Sequence, residues 1–129
     1  MMKKLDDFKK ALRKLEEVLA LPKNEITRDS AIMRFCFLYD LAWKTIKDYL
    51  RIQGIECYSP RECIKSAFQV KLIDYNTLWL SMIDDRNNIS HIYSESDANK
   101  VYSRLSDYLK LHMQLMVKLQ KQPENLPKS

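Results

Sequence analysis

Apolar residues recur every three or four positions along most of the chain, the spacing of helices that bury one face. Leu5, Phe8, Leu12, Leu15 and Leu19 form one stripe and predict a first helix from about Lys3 to Leu21, closed by Pro22 and Asn24. A second helix is expected from about Arg28 to Ile52, with Thr27 as N-cap and Asp29 in its first turn. Its main stripe is Ile32, Phe35, Tyr39, Ala42, Trp43, Ile46 and Leu50, while Met33, Phe37 and Leu41 add an apolar set on the far side. A helix apolar on both sides is buried on both sides, so this one is expected to be central and also to meet a second subunit. Ser59-Pro60-Arg61-Glu62 reads as a capping box with proline in the first turn and opens a short third helix, about Pro60 to Gln69. A fourth helix is expected from near Asp74, with Tyr75, Leu78, Trp79, Met82 and Ile83 inward. A fifth runs from near Ser96 or Asp97 to about Lys121, with Val101, Leu105, Tyr108, His112, Leu115 and Leu119 among its inward residues.

The chain holds one glycine, Gly54, and four prolines, so it has few turns and must be built of long elements. No run alternates in the manner of a half-buried strand. The fold class is therefore all-α: a five-helix antiparallel up-and-down bundle, four long helices and one short, expected as a two-fold homodimer. With 129 residues it makes one domain, residues 1–121, followed by a loose tail at 122–129.

Composition narrows the class further. At 46% apolar and 30% charged, the chain has the balance of a soluble globular protein. A net charge of +5 permits a nucleic-acid partner without requiring one, since basic and acidic residues are interspersed. Cys36, Cys57 and Cys63 are odd in number and lack C-x-x-C spacing, which suggests reduced thiols in a cytoplasmic protein. His91 and His112 do not cluster with them, so no metal or other cofactor is expected. The N-terminus turns charged at once, and nothing approaches the length of a membrane span.

The densest chemistry is Asp84-Asp85-Arg86-Asn87-Asn88-Ile89-Ser90-His91-Ile92-Tyr93. Counting about 100° per residue from Tyr75, Arg86 falls roughly 20° from the apolar line, aimed into the packed face. Asn87 and His91 share a second face at i, i+4 spacing. On an ideal helix Arg86 and His91 point about 140° apart, so they meet only if the helix unwinds after Asn88 or a two-fold partner supplies one of them. These residue types suit phosphodiester chemistry without a metal. Histidine exchanges protons near neutrality, arginine offers phosphate a planar charged fork, and asparagine can orient either. The structural alternative is a network in which Arg86 pairs with a carboxylate while Asn87 and His91 cap carbonyls.

This segment, an arginine followed after four residues by histidine and two further on by tyrosine, resembles the signature of the HEPN superfamily. The resemblance extends to Arg28-Asp29-Ser30-Ala31-Ile32-Met33-Arg34-Phe35, to Leu41 through Leu50, to Ser59-Pro60-Arg61 and to Trp79-Leu80, roughly residues 5 to 120 in order. It is nearest the branch called nucleotidyltransferase substrate-binding proteins. Cys36 stands where that family usually carries an acidic residue, and Ile89 and Ile92 replace threonines that commonly flank Ser-His. The resemblance implies a two-fold dimer paired with a minimal nucleotidyltransferase. In related toxin–antitoxin pairs the HEPN member is a metal-independent RNase silenced by AMP added to the motif tyrosine. Arg86, Asn87 and His91 would then be catalytic and Tyr93 the modified residue, with Asp85 and Ser90 at the same phosphate-binding site. The rival expectation is a non-catalytic subunit that binds a nucleotide or presents a substrate, and the plainest is a helical dimer with a structural role.

Other residues have an ordinary reading beside a functional one. Arg28 and Arg34 either form salt bridges near the start of the second helix or extend a phosphate-binding rim. Trp43 and Trp79, on apolar stripes, are expected as core aromatics rather than base-stacking platforms. His112 is expected as a satisfied core or interface histidine.

Overall fold

A computed structural model describes residues 2–122. The elements are α1 (Met2–Leu19), α2 (Glu25–Ile52), α3 (Pro60–Gln69), α4 (Leu78–Asn87) and α5 (Glu95–Gln120), with one 3-10 turn, Ile89–His91, between α4 and α5. The five-helix all-α bundle expected from the stripes is the fold observed, except that α4, expected to be long, has 10 residues like α3, so two helices are short; no strand occurs among the described residues. Of the loose tail expected at 122–129, all but Gln122 lies outside them.

α2 is the axis and packs against each of the other four helices. Phe35 and Tyr108 stack at 5.2 Å between ring centroids where α2 meets α5. Around them Phe8, Leu15, Leu38, Ile46, Leu50, Met82, Leu105, Leu115 and Leu119 are fully shielded from solvent. Of the second apolar set on α2, Leu41 packs against the core while Met33, 58% exposed, and Phe37, 50% exposed, stay uncovered.

Local capping moves several boundaries. α2 begins at Glu25 because Asn24, not Thr27, is the N-cap. The Asn24 side chain accepts from the Thr27 amide at 2.9 Å, and the Thr27 hydroxyl accepts from the Asn24 amide at 2.9 Å. Thr27 thus plays the third-position role of a capping box, and the helix starts about one turn ahead of the expected start. At the other end Gly54 takes φ +84, the left-handed conformation glycine adopts freely, and the Ile55 amide reaches back to the Leu50 carbonyl at 2.8 Å. α4 begins four residues later than expected, at Leu78, whose amide donates to the Asn76 side chain at 2.9 Å. Tyr75 therefore lies outside the helix and outside the core. It is 73% exposed and packs edge-on against Phe68. α5 begins at Glu95, capped by Ser94, a residue or two ahead of the expected start.

The expectation of three reduced thiols is corrected. Cys57 and Cys63 form a disulfide, and Cys36 is a buried free thiol. The six-residue separation carried no recognisable spacing, and the two meet because the chain folds back into the α3 cap, with their Cα atoms 5.1 Å apart. The argument for the compartment from thiol state falls with it. Among the described residues, no helix is long and apolar enough to cross a membrane.

His112 is wholly buried, edge-on to Phe8 and to Trp79. Its Nδ1 lies 2.8 Å from the Tyr108 carbonyl, so Nδ1–H donates there, and Nε2 has no partner among the described residues. Burial lowers its pKa to about 4, against an ordinary value of 6.5. The folded state therefore holds the ring neutral where the unfolded chain would protonate it. The stability gained by that neutral burial is present in full above pH 6.5 and is lost as pH falls towards 4. The loss from this one group should be on the order of 3 kcal/mol. Denaturant unfolding at pH 7 and pH 4 should show a larger drop in wild type than in His112→Leu; equal drops would remove the effect.

Candidate functional site

The last turn of α4 carries Asp85 and Arg86 in succession, about 100° apart around the helix, and a different neighbour holds each. Asp85 faces α5. Arg104 Nε and Nη2 donate to its two oxygens at 2.8 and 2.7 Å, and the Tyr108 hydroxyl donates at 2.6 Å. Burial first, and then the bond to Asp85, drives the Tyr108 pKa well up, while the same carboxylate raises that of Arg104. Asp85, expected from the resemblance at the phosphate site, is thus saturated by an arginine and a phenol and ties α4 to α5.

Arg86 faces α2. Its Nε and Nη2 donate to the two oxygens of Asp40 at 3.2 and 3.0 Å, and the pair is about one-third exposed. The guanidinium leaves the packed face on which the helical wheel placed it and reaches outward to the Asp40 carboxylate, about one-third open to solvent. Hydrogen bonding to Asp40 raises its pKa, so it is charged under all ordinary conditions. Sequence reasoning missed Asp40. The carboxylate sought at Cys36 comes from one helical turn later on the same face, a spacing the i, i+4 rule could have found. Cys36 itself lies close enough to sense Arg86 and Asp40, and burial pushes its thiol pKa up.

The helix ends at Asn87 and a 3-10 turn follows, so the backbone unwinds where the poor helix formers Asn88 and Ser90 suggested. Three clefts surround this turn. Arg86 lines one of about 430 Å³ together with Tyr39, Asp40, Trp43, Asn87 and Ser90. His91 lines a second, of about 320 Å³, with Asp85, Asn88, Asp97, Lys100 and Arg104. Tyr93 lines a third, of about 410 Å³, with Arg28, Asp29 and Glu95. Ile89 divides the first cleft from the third, and Ile92 the second from the third. Within the chain Arg86 and His91 therefore open into different clefts, and the unwinding does not join them. His91 and Tyr93 do meet: Nδ1 lies 3.1 Å from the phenol oxygen, and both side chains are solvent-exposed.

The remaining candidates divide in the same way. Arg28 is 7% exposed and donates to Asp29 at 2.9 Å and to Asn99 at 3.4 Å, with Glu95 at 3.7 Å. Nearby, a hydrogen bond to Glu95 and the charge of that carboxylate raise the pKa of Glu25. Arg34 is half-buried and lines none of the three clefts. Trp79 is a core residue as expected, whereas Trp43 is half-buried and faces the Arg86 cleft.

With this geometry in view, comparison with known proteins places the chain. Residues 3–121 match the family described as nucleotidyltransferase substrate binding protein like, and the chain belongs to that family. A solved protein of Thermus thermophilus is 36% identical with a TM-score of 0.84, over 88% of this chain and 99% of that one. A Haemophilus influenzae structure, described as the fold of a substrate binding domain of a nucleotidyltransferase, is 25% identical with a TM-score of 0.82, over 91% and 99%. A curated Haemophilus influenzae relative named "Probable ribonuclease HepT" is 31% identical over 84 residues. That stretch is 61% of this chain and 58% of the relative, so the chain spans little more than half of that protein.

The two ends of the clamp should differ in energetic weight. Asp85→Ala leaves a buried phenol and a half-buried guanidinium unpaired and should cost about 3 kcal/mol. Asp40→Ala opens a pair already one-third exposed and should cost about 1 kcal/mol or less. Chemical denaturation of the two variants measures the difference; equal costs would refute this assignment.

Proposed function

We propose that this chain is the ribonuclease-type subunit of a toxin–antitoxin pair, restrained by a minimal nucleotidyltransferase that adds AMP to Tyr93. The observation that carries the reading is the 3.1 Å approach of the Tyr93 hydroxyl to His91 Nδ1. Attack of that oxygen on the α-phosphorus of ATP, with pyrophosphate leaving and the phenol proton lost, would form a phosphodiester that places a bulky anion against the imidazole and shuts it off from substrate. Family membership supports the partnership with a nucleotidyltransferase, and the name of the Haemophilus relative supports ribonuclease chemistry.

In this reading His91 is the acid/base. It takes the proton from a ribose 2′-hydroxyl as the oxygen attacks phosphorus. The bond to the 5′-oxygen then breaks, and that oxygen leaves with a proton. Arg86 stabilises the charge gathering on the phosphoryl oxygens, and Asn87 with Ser90 orients the phosphate. The working unit is a two-fold homodimer, because Arg86 and His91 line separate clefts in one protomer. The uncovered Met33 and Phe37 of α2 supply an apolar strip for the second copy.

A second reading keeps the pairing and drops the catalysis. The bidentate Asp40 already neutralises Arg86, which suits a subunit that binds a nucleotide for its partner without turning it over.

Purified protein in chelator should cleave single-stranded RNA, and His91→Ala should lower the rate by about 10²- to 10⁴-fold. Equal background from both would leave the binding-subunit reading, for which calorimetry with ATP should show heat without turnover. Mass spectrometry after co-expression with the nucleotidyltransferase should find AMP on Tyr93 and none on Tyr93→Phe. An unmodified tyrosine would sink the restraint mechanism.

A further inference from the structure

We infer that the α2–α4 cleft is a nucleotide subsite of a single RNA strand, with the Tyr39 hydroxyl donating to the phosphate held by Arg86 and the Trp43 ring stacking on the base. This rests on the reading of Arg86 as a phosphate group and adds two residues to it. Tyr39 is 2% exposed, lines the cleft, and its hydroxyl has no hydrogen-bond partner among the described residues. A buried hydroxyl without a partner is costly to the fold; the oxygen is itself closed to solvent, so a phosphate reaches it only as the phenol turns into the cleft. The charges of Asp40, Arg86 and Arg61 all reach it. Burial pushes its pKa up to about 12, so it keeps its proton and can donate across the neutral range.

The acceptor it lacks is supplied by an anion on Arg86. Asp40 occupies Nε and Nη2 of that guanidinium, which leaves Nη1 outside the carboxylate's bidentate grip. Trp43 stands one helical turn beyond Tyr39 on α2 and lines the same cleft, only half-buried. An indole in the same cleft as a phosphate-binding cation can stack on a base of any identity, which favours single strands over duplex. The polar side chains of Asn87 and Ser90 complete the opposite wall. At about 430 Å³ the cleft is of the size that holds small ligands.

The test uses a 2′-O-methyl hexanucleotide, which has no free 2′-hydroxyl and cannot be cut, titrated against tryptophan emission of the full chain. Wild type should bind with quenching, and Trp43→Phe should abolish the quench and weaken binding by about fivefold or more. Tyr39→Phe removes an unsatisfied hydroxyl, so its melting temperature should hold or rise, while its affinity falls about tenfold. Absence of binding by wild type, wild-type affinity in Tyr39→Phe, or a quench that survives Trp43→Phe would each overturn the subsite. The outcome separates from that of the ribonuclease reading. Weakened binding by Tyr39→Phe with no cleavage by wild type upholds the subsite alone. Cleavage lost in His91→Ala, with Tyr39→Phe binding unchanged, upholds catalysis alone.

Discussion

Two adjacent charges of opposite sign hold the end of α4 from two sides. Asp85 is gripped by Arg104 and Tyr108 on α5, and Arg86 grips Asp40 on α2. Because successive helical residues point about 100° apart, one turn can answer to both neighbours at once, and bidentate pairs fix orientation as well as distance. α4 has only 10 residues, and at its far end the chain leaves helical geometry for a 3-10 turn. Without the clamp, so short a helix would have little to define where it stops. The positions of Asn87, Ser90, His91 and Tyr93 all follow from that stopping point.

The two halves of the clamp differ in what they can do besides hold. In the Asp85 half the carboxylate itself is sheltered and takes three donors, one of them the buried Tyr108 hydroxyl, although Arg104 reaches solvent and lines the His91 cleft; losing the carboxylate strands the phenol away from water. The Arg86 half is open to solvent along one side and lines a cleft, so its guanidinium can exchange partners at modest cost. An ion pair with a sheltered carboxylate and one open to solvent on both partners thus sit on consecutive residues. The same division explains why the motif's arginine and histidine part company within one protomer: Arg86 follows α2 outward, while the 3-10 turn carries His91 to the α5 side.

Much of this was legible beforehand. The apolar spacing gave five helices and a central α2, because burial of a stripe needs only local periodicity and a core to face. The cap of α3 was readable from Ser59-Pro60-Arg61-Glu62, since its partners lie within four residues. The start of α4 was misread: Tyr75 fits the helical phase, but Asn76 offers the Leu78 amide a turn instead, and local side-chain bonding outweighed periodicity. Thr27 was misplaced by one turn because either Asn24 or Thr27 could cap, and only the reciprocal bonds between them decide. The family resemblance singled out Arg86, Asn87, His91 and Tyr93 as a group, yet it had no means of pairing them.

By itself the sequence determined the helices, the core-facing stripes and the cluster of chemically able residues after Ile83, all properties that depend on neighbours a few positions away. Tertiary structure alone decided that Arg86 meets Asp40 across 46 positions, that Asp85 meets Arg104 across 19, and that Cys57 closes on Cys63. It also turned Trp43 towards a cleft and left the Tyr39 hydroxyl without a partner among the described residues. The reason is the nature of the contacts. Periodic burial is a sum over many equivalent positions and survives small errors of phase. A bidentate ion pair or an orphaned hydroxyl depends on angles between helices, and the spacing of residues along one chain does not encode those.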